Sequence, residues 1–139
     1  MNIKISNKRA KEIIKFIKSL KLDEIYQNEF SIEREKNLLN IHESLIHSSA
    51  DSQINYEKLE FLGDAVLRLI ASDFIKNKYP YMQVGERSEL RSHLVSDQWL
   101  EEVGQKIEIE NVLIIGKKAI KDKSAKSTII AEATEALIG

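Results

Sequence analysis

Apolar residues recur at helical spacing along most of the chain. After Ser6 and Asn7, either of which can cap a helix, Ala10, Ile13, Ile14, Ile17 and Leu20 follow at three- and four-residue intervals with lysines between them, predicting an amphipathic first helix. A second helical segment, from Ser31 to about Ser48, presents Leu38, Leu39, Ile41, Leu45 and Ile46. Asn55 opens the longest helix, over residues 56–79, and Pro80 stops it. Gly85 precedes a helix over 86–95, and Ser96 and Asp97 start another that carries Trp99, Leu100 and Val103. Residues 107–115 are apolar and β-branched but too short for their period to classify them. Residues 117–126 hold Lys117, Lys118, Lys121, Lys123 and Lys126 against Asp122 alone and read as a basic loop, after which a final helix begins near Ser127 or Thr128 and runs to Gly139. No internal repeat, low-complexity tract or linker breaks this pattern.

The 139 residues make one domain, 1–139, with no room for a second at the usual ~100–200 residues per domain. Five Gly and one Pro leave few sharp turns and favour an all-α fold. Cysteine is absent, so a disulfide framework, a thiolate metal site and a cysteine nucleophile are excluded, and any metal must rest on oxygen or imidazole ligands. No apolar run is long enough to span a membrane, and the N-terminus lacks a secretory pattern, giving the expectation of a soluble, cytoplasmic protein. Basic and acidic residues number 21 and 22, so the net charge of −1 announces no polyanionic partner. The first 21 residues are basic, with Glu12 their only acid, and the main body is correspondingly acidic. A polyanion would have to be met by local patches or by bound cations.

The chemistry lies in two acidic helices. Glu57, Glu60 and Asp64 fall at i, i+3 and i+7, on one helix face beside the apolar Leu59, Leu62, Val66 and Leu69. Phe61, Leu62, Ala65, Val66, Leu67, Leu69 and Ile70 are expected to be largely buried, which makes three neighbouring carboxylates costly unless a divalent cation or shared proton relieves them. A mid-helix glycine, Gly63, suggests that another backbone or a ligand comes close there. In the final helix Ile129, Ile130, Ala133, Ala136 and Leu137 form an apolar stripe flanked by Glu132 and Glu135. If the two helices pack side by side, Glu60, Asp64, Glu132 and Glu135 can converge on a hard cation such as Mg²⁺ or Mn²⁺. By spacing alone, a solvated helix face fits either pair equally well.

Tyr56-Glu57-Lys58-Leu59-Glu60-Phe61-Leu62-Gly63-Asp64-Ala65-Val66-Leu67 closely resembles the ribonuclease III family signature, E-R-L-E-F-L-G-D-A-V-L, with Lys58 in place of the common Arg. Other blocks agree in order and spacing. Leu45-Ile46-His47-Ser48-Ser49 is similar to L-T-H-x-S, and Val84-Gly85-Glu86 with Leu90-Arg91-Ser92-His93-Leu94-Val95-Ser96 is similar to G-x-L-x-x-L-R-x-x-L-V-S. Residues 130–139 resemble L-A-D-x-x-E-A-L-I-G, and Asn55-Tyr56-Glu57 with the residues after Asp64 most resembles the cyanobacterial branch. The resemblance covers roughly residues 30–139.

It implies an all-helical endonuclease domain that dimerises and uses Mg²⁺ to cleave double-stranded RNA, leaving 5′-phosphate and 3′-hydroxyl ends. Position by position, it implies that Glu60, Asp64, Glu132 and Glu135 bind the metal, that Asp64 and Glu135 are catalytic, and that Glu57 and Glu86 form an accessory acidic pair near the RNA. Lys117, Lys118, Lys121 and Lys123 are the local source of phosphate contacts, a solvated loop being the plain alternative. The family carries Asp where this chain has Glu132, and Glu132→Asp is expected to preserve or raise activity. The family's last helix also runs past the matching Gly139, and a double-stranded-RNA-binding domain usually follows.

Two other readings stay open on the sequence: a non-catalytic member that binds structured RNA or a ribonucleoprotein, and a helical interaction domain with hydrated acidic faces. His42 and His47 are five residues apart, about 140° around a helix, which speaks against a shared zinc site. His47 and His93 read as packing or hydrogen-bonding residues, and Trp99 and the tyrosines show no stacking pattern for single strands.

Overall fold

The computed structural model describes residues 5–21 and 31–139, with backbone alone for residues 31–35 and for Lys123. Six α-helices account for most of it: α1 (Asn7–Ser19), α2 (Ser31–Ser44), α3 (Glu57–Lys78), α4 (Val84–Leu94), α5 (Asp97–Lys106) and α6 (Lys123–Ile138). Short 3₁₀ turns at Ile109–Asn111 and Ala119–Lys121 bridge α5 to α6. The domain is therefore all-α, its sole extended pairing among the described residues being a parallel bridge between Ile46 and Ile114.

Local chemistry sets the boundaries. Ser6 caps α1 by accepting from the Arg9 amide, and Ser96 caps α5 through the Trp99 amide. Two boundaries differ from the sequence expectation. The second helix ends at Ser44, so Leu45 and Ile46 leave it, and their backbones bond instead to Ile114 and, through the Ile46 carbonyl, to the Tyr56 amide. The last helix begins at Lys123, earlier than Ser127, because the Asp122 carboxylate accepts from the Ser124 and Ala125 amides. The basic loop is correspondingly shorter, and Lys126 lies on the helix, paired with Glu110 at 2.6 Å.

α6 is the central element and packs most extensively against α3 and α5. Ile130, Ala133 and Ala136 enter the main core with Ile13, Phe16, Ile41, Leu45, Tyr56 and Ile109, while Ala131 meets Leu67 and Leu100 in a smaller one. Small residues set the spacing. A Cβ at Gly63 of α3 would overlap the Glu135 carbonyl of α6, and one at Gly104 of α5 would overlap Thr134 and Ile130. The close approach expected at Gly63 is thus a neighbouring backbone.

α3 buries a different stripe from the expected one. Gly63, Leu67, Ala71 and Ile75, four residues apart, face the domain. Phe61, Leu62, Leu69 and Ile70 are exposed, Phe61 by 85% and Leu69 by 71%, and Ala65 is exposed with them. The helix is apolar on two sides, and within one chain only one of them meets the core.

Candidate active site

The Gly63–Glu135 contact places the acidic flanks of α3 and α6 along one seam. A cleft of about 360 Å³ opens there, lined by Glu57, Glu60, Asp64, Asp97 and Glu135 together with Arg68. Burial and crowding govern its electrostatics. Burial, reinforced by the charges of Glu132, Glu135, Glu57 and Asp97, pushes the Glu60 carboxyl up to about pH 7. Glu135 is raised by burial and by Asp64 and Asp97, with Arg68 opposing. These shifts show that the carboxylates of α3, α5 and α6 share one field.

The convergence expected of Glu60, Asp64, Glu132 and Glu135 is partial. Glu60, Asp64 and Glu135 line the cleft, and Glu132 is not among its wall residues. As placed, no three acidic or histidine side chains among the described residues close around a point that an ion could fill. Two members of the set have side-chain partners. The Arg68 guanidinium donates to Asp64 Oδ1 at 2.7 Å, and the Tyr56 hydroxyl donates to Glu132 Oε2 at 2.5 Å. Burial first, and then the bond to Glu132, raise the Tyr56 pKa, so this phenol remains a donor. The donor set itself fits a hard divalent cation: every candidate ligand is a carboxylate oxygen, the crowded charge is negative, and Arg68 is the cation on the cleft wall.

The remaining expected residues are spread out. Glu57 is exposed at the cleft. Glu86 is not brought there: its carboxylate accepts from the Gln83 amide at 2.8 Å and caps the start of α4. Lys117, Lys118 and Lys121 are exposed, and the side chain of Lys123 lies outside the described residues, as does Lys4 of the basic N-terminal run. His47 is hydrogen-bonded through Nδ1 to Ser49, and His42 accepts from Arg9. The sequence did not single out three members of the site. Arg68 stands four residues after Asp64, a helical ion-pair spacing that could have been found. Asp97 carries no such signal because it reaches the site from α5, and Tyr56, although it directly precedes Glu57, carries none because its partner Glu132 lies 76 residues away.

The architecture is thus a helical domain whose central helix packs against a glycine-marked partner, with carboxylates concentrated along their seam. The sequence pattern of the ribonuclease-III-like family matches residues 35–139, and the chain belongs to the ribonuclease III family. It is 54% identical over 99 residues to Ribonuclease 3 of Prochlorococcus marinus, an alignment covering 71% of this chain and 40% of that protein. It is 32% identical over 140 residues to Ribonuclease 3 of Borreliella afzelii, covering 96% of this chain and 53% of the relative. The chain thus spans about half or less of the length of these curated relatives. Among solved structures, the nuclease domain of Campylobacter jejuni ribonuclease III superposes with a TM-score of 0.72 at 28% identity, over 91% of this chain and 80% of that one. A second structure of that nuclease domain, described for flexibility in a region involved in dimer formation, gives a TM-score of 0.68 at 27% identity over 87% and 80% of the two chains.

Proposed function

We propose that the chain is the endonuclease part of a Mg²⁺-dependent ribonuclease that cuts double-stranded RNA to 5′-phosphate and 3′-hydroxyl ends, as a homodimer, in cytoplasmic RNA processing. The α3–α6 cleft carries this reading: Glu60, Asp64 and Glu135 line one open space, and burial, reinforced by neighbouring negative charge, makes Glu60 hold its proton up to about pH 7. Glu60, Asp64, Glu132 and Glu135 are the residues that would hold the ion, and Mn²⁺ suits the same oxygens. When bound, the ion neutralises this acidic pocket, takes phosphate oxygens and acidifies water. Asp64 and Glu135, both on the wall of the cleft, would flank the place where water and phosphate are oriented. Glu57 stands at the mouth of the cleft, and the exposed Lys117, Lys118 and Lys121 offer phosphate contacts. A-form RNA can be held through its shape, phosphates and 2′-hydroxyls, so this site need not read bases.

The homodimer rests on α3. Phe61, Ala65 and Leu69 at i, i+4 and i+8, with Leu62 beside them, form an exposed apolar stripe along the helix that carries Glu60 and Asp64. A two-fold pairing through it would set two clefts on one duplex. No helix among the described residues is long and apolar enough to cross a membrane.

The test is incubation of a long RNA duplex with the protein, in Mg²⁺ and in EDTA, with E135Q alongside. Expected are Mg²⁺-dependent cuts with 5′-phosphate ends, and an E135Q variant that still binds RNA without cutting it. Binding without cleavage by the unaltered protein would favour a non-catalytic RNA-binding role, and neither binding nor cleavage would leave a helical interaction domain.

A further inference from the structure

Among the site's carboxylates, Glu132 is set apart by the side chain that touches it. We infer that Tyr56 is a positioning residue, whose hydroxyl fixes the orientation from which Glu132 serves the metal site between α3 and α6. This rests on the endonuclease reading above.

Tyr56 is held on every side. It is 1% exposed, its amide donates to the Ile46 carbonyl at 2.9 Å, and its carbonyl accepts from the Glu60 amide at 2.8 Å. The ring lies within the main core, edge-on to His47 with centroids 5.5 Å apart. A phenol so placed cannot swing away, and its hydroxyl sits 2.5 Å from Glu132 Oε2, the length of a charge-assisted O–H···O⁻ bond. That bond is the one hydrogen bond or ion pair made by the Glu132 side chain among the described residues.

The consequence follows from side-chain length. Glutamate has one more rotatable bond than aspartate, and ordering it costs more conformational entropy. Tying Oε2 to a rigid phenol removes that freedom before any ligand arrives and leaves Oε1 to coordinate. Tyr56 stands at the start of α3, one turn before Glu60, so a Glu132 held on it stays beside the helix that carries Glu60 and Asp64. Partners of this kind, which orient a ligating carboxylate without touching the ion, typically account for a 10–100-fold effect on metal affinity.

The experiment is a double-mutant cycle of Y56F and E132D on the whole chain. Calorimetric titration of RNA-free protein with Mg²⁺ reads affinity, and melting in EDTA reads the pair without metal. Circular dichroism of each variant confirms that the helices form. Y56F is expected to weaken Mg²⁺ binding about tenfold or more, to shift the Mg²⁺ dependence of duplex cleavage to the same extent, and to leave KM for RNA at saturating Mg²⁺ unchanged. In the E132D background, where the carboxylate no longer reaches the phenol, Y56F should change Mg²⁺ affinity by less than about twofold. An unchanged or tighter Mg²⁺ affinity in Y56F overturns the inference, as does an equal loss in both backgrounds. Either result with the unaltered protein still binding Mg²⁺ and cutting RNA leaves the endonuclease reading standing. An unaltered protein that neither binds Mg²⁺ nor cuts RNA overturns both.

Discussion

Gly63 of α3 lies against the carbonyl of Glu135 in α6, with no space between them for a methyl group. This contact fixes the depth at which the two acidic helices meet. Gly63→Ala gains about 1 kcal/mol of helix propensity but forces apart two backbones, an overpacking that typically costs about 1–3 kcal/mol. A flexible side chain could have yielded, whereas a peptide group in mid-helix cannot. Urea unfolding of G63A should therefore show a lower midpoint, and duplex cleavage should fall further than stability, because Glu135 moves with its carbonyl. At Gly85 a Cβ meets nothing within 4 Å, so G85A should match or slightly exceed the unaltered protein in the same measurement.

Protons and metal compete for the cleft. Glu60 holds its proton up to about pH 7 in the folded chain, against an ordinary value of 4.5. Between those limits the native state keeps a proton that the unfolded chain has released, so this stabilisation is full below 4.5 and is lost as pH rises through about 7. Glu135, also raised, acts in the same direction. In EDTA the melting temperature should fall as pH rises from 4.5 to about 7, and E60Q should flatten that decline. The slope is modest because Glu60 is partly solvated. Added Mg²⁺ should raise the melting temperature more at the alkaline end, where it displaces no proton.

Phe61 is 85% exposed on the stripe assigned to the homodimer. A large aromatic at the centre of an interface typically contributes about 2 kcal/mol or more to association, roughly a 30-fold change in the dissociation constant. Sedimentation of F61A should show a dimer weakened by that order, and a charged replacement, F61E, should leave monomer. A chain that sediments as a monomer before any substitution would remove this assignment.

The acidic spacing and Gly63 were legible in the sequence because both act within a helix, where neighbours lie three and four residues apart. The early start of α6 could also have been read, since Asp122 stands two residues before Ser124 as a capping residue should, but five nearby lysines gave the segment the look of a loop. Which side of α3 is buried could not be read. Both of its apolar stripes have helical period, and periodicity does not distinguish a face covered by its own chain from one left for a partner. The bond between Tyr56 and Glu132, 76 residues apart, and the arrival of Asp97 from α5 are products of packing alone.

Glu132→Asp separates stability from chemistry at this site. The shorter side chain withdraws the carboxylate from Tyr56, leaving a buried phenol without its acceptor, an unmet hydrogen bond that costs about 1–3 kcal/mol. Melting in EDTA should accordingly move down by several degrees, at roughly 2–4 °C per kcal/mol for a domain of this size. Cleavage should nevertheless be preserved or rise. The negative charge remains on α6 one turn from Glu135, and aspartate is the residue that the resembling family pattern carries at this position. Single-turnover cleavage of an RNA duplex at saturating Mg²⁺ measures this apart from stability. A variant that is less stable and at least as active fits a glutamate that depends on its tyrosine, whereas a large loss of rate would mean that the α3–α6 geometry of this chain differs from that of its relatives.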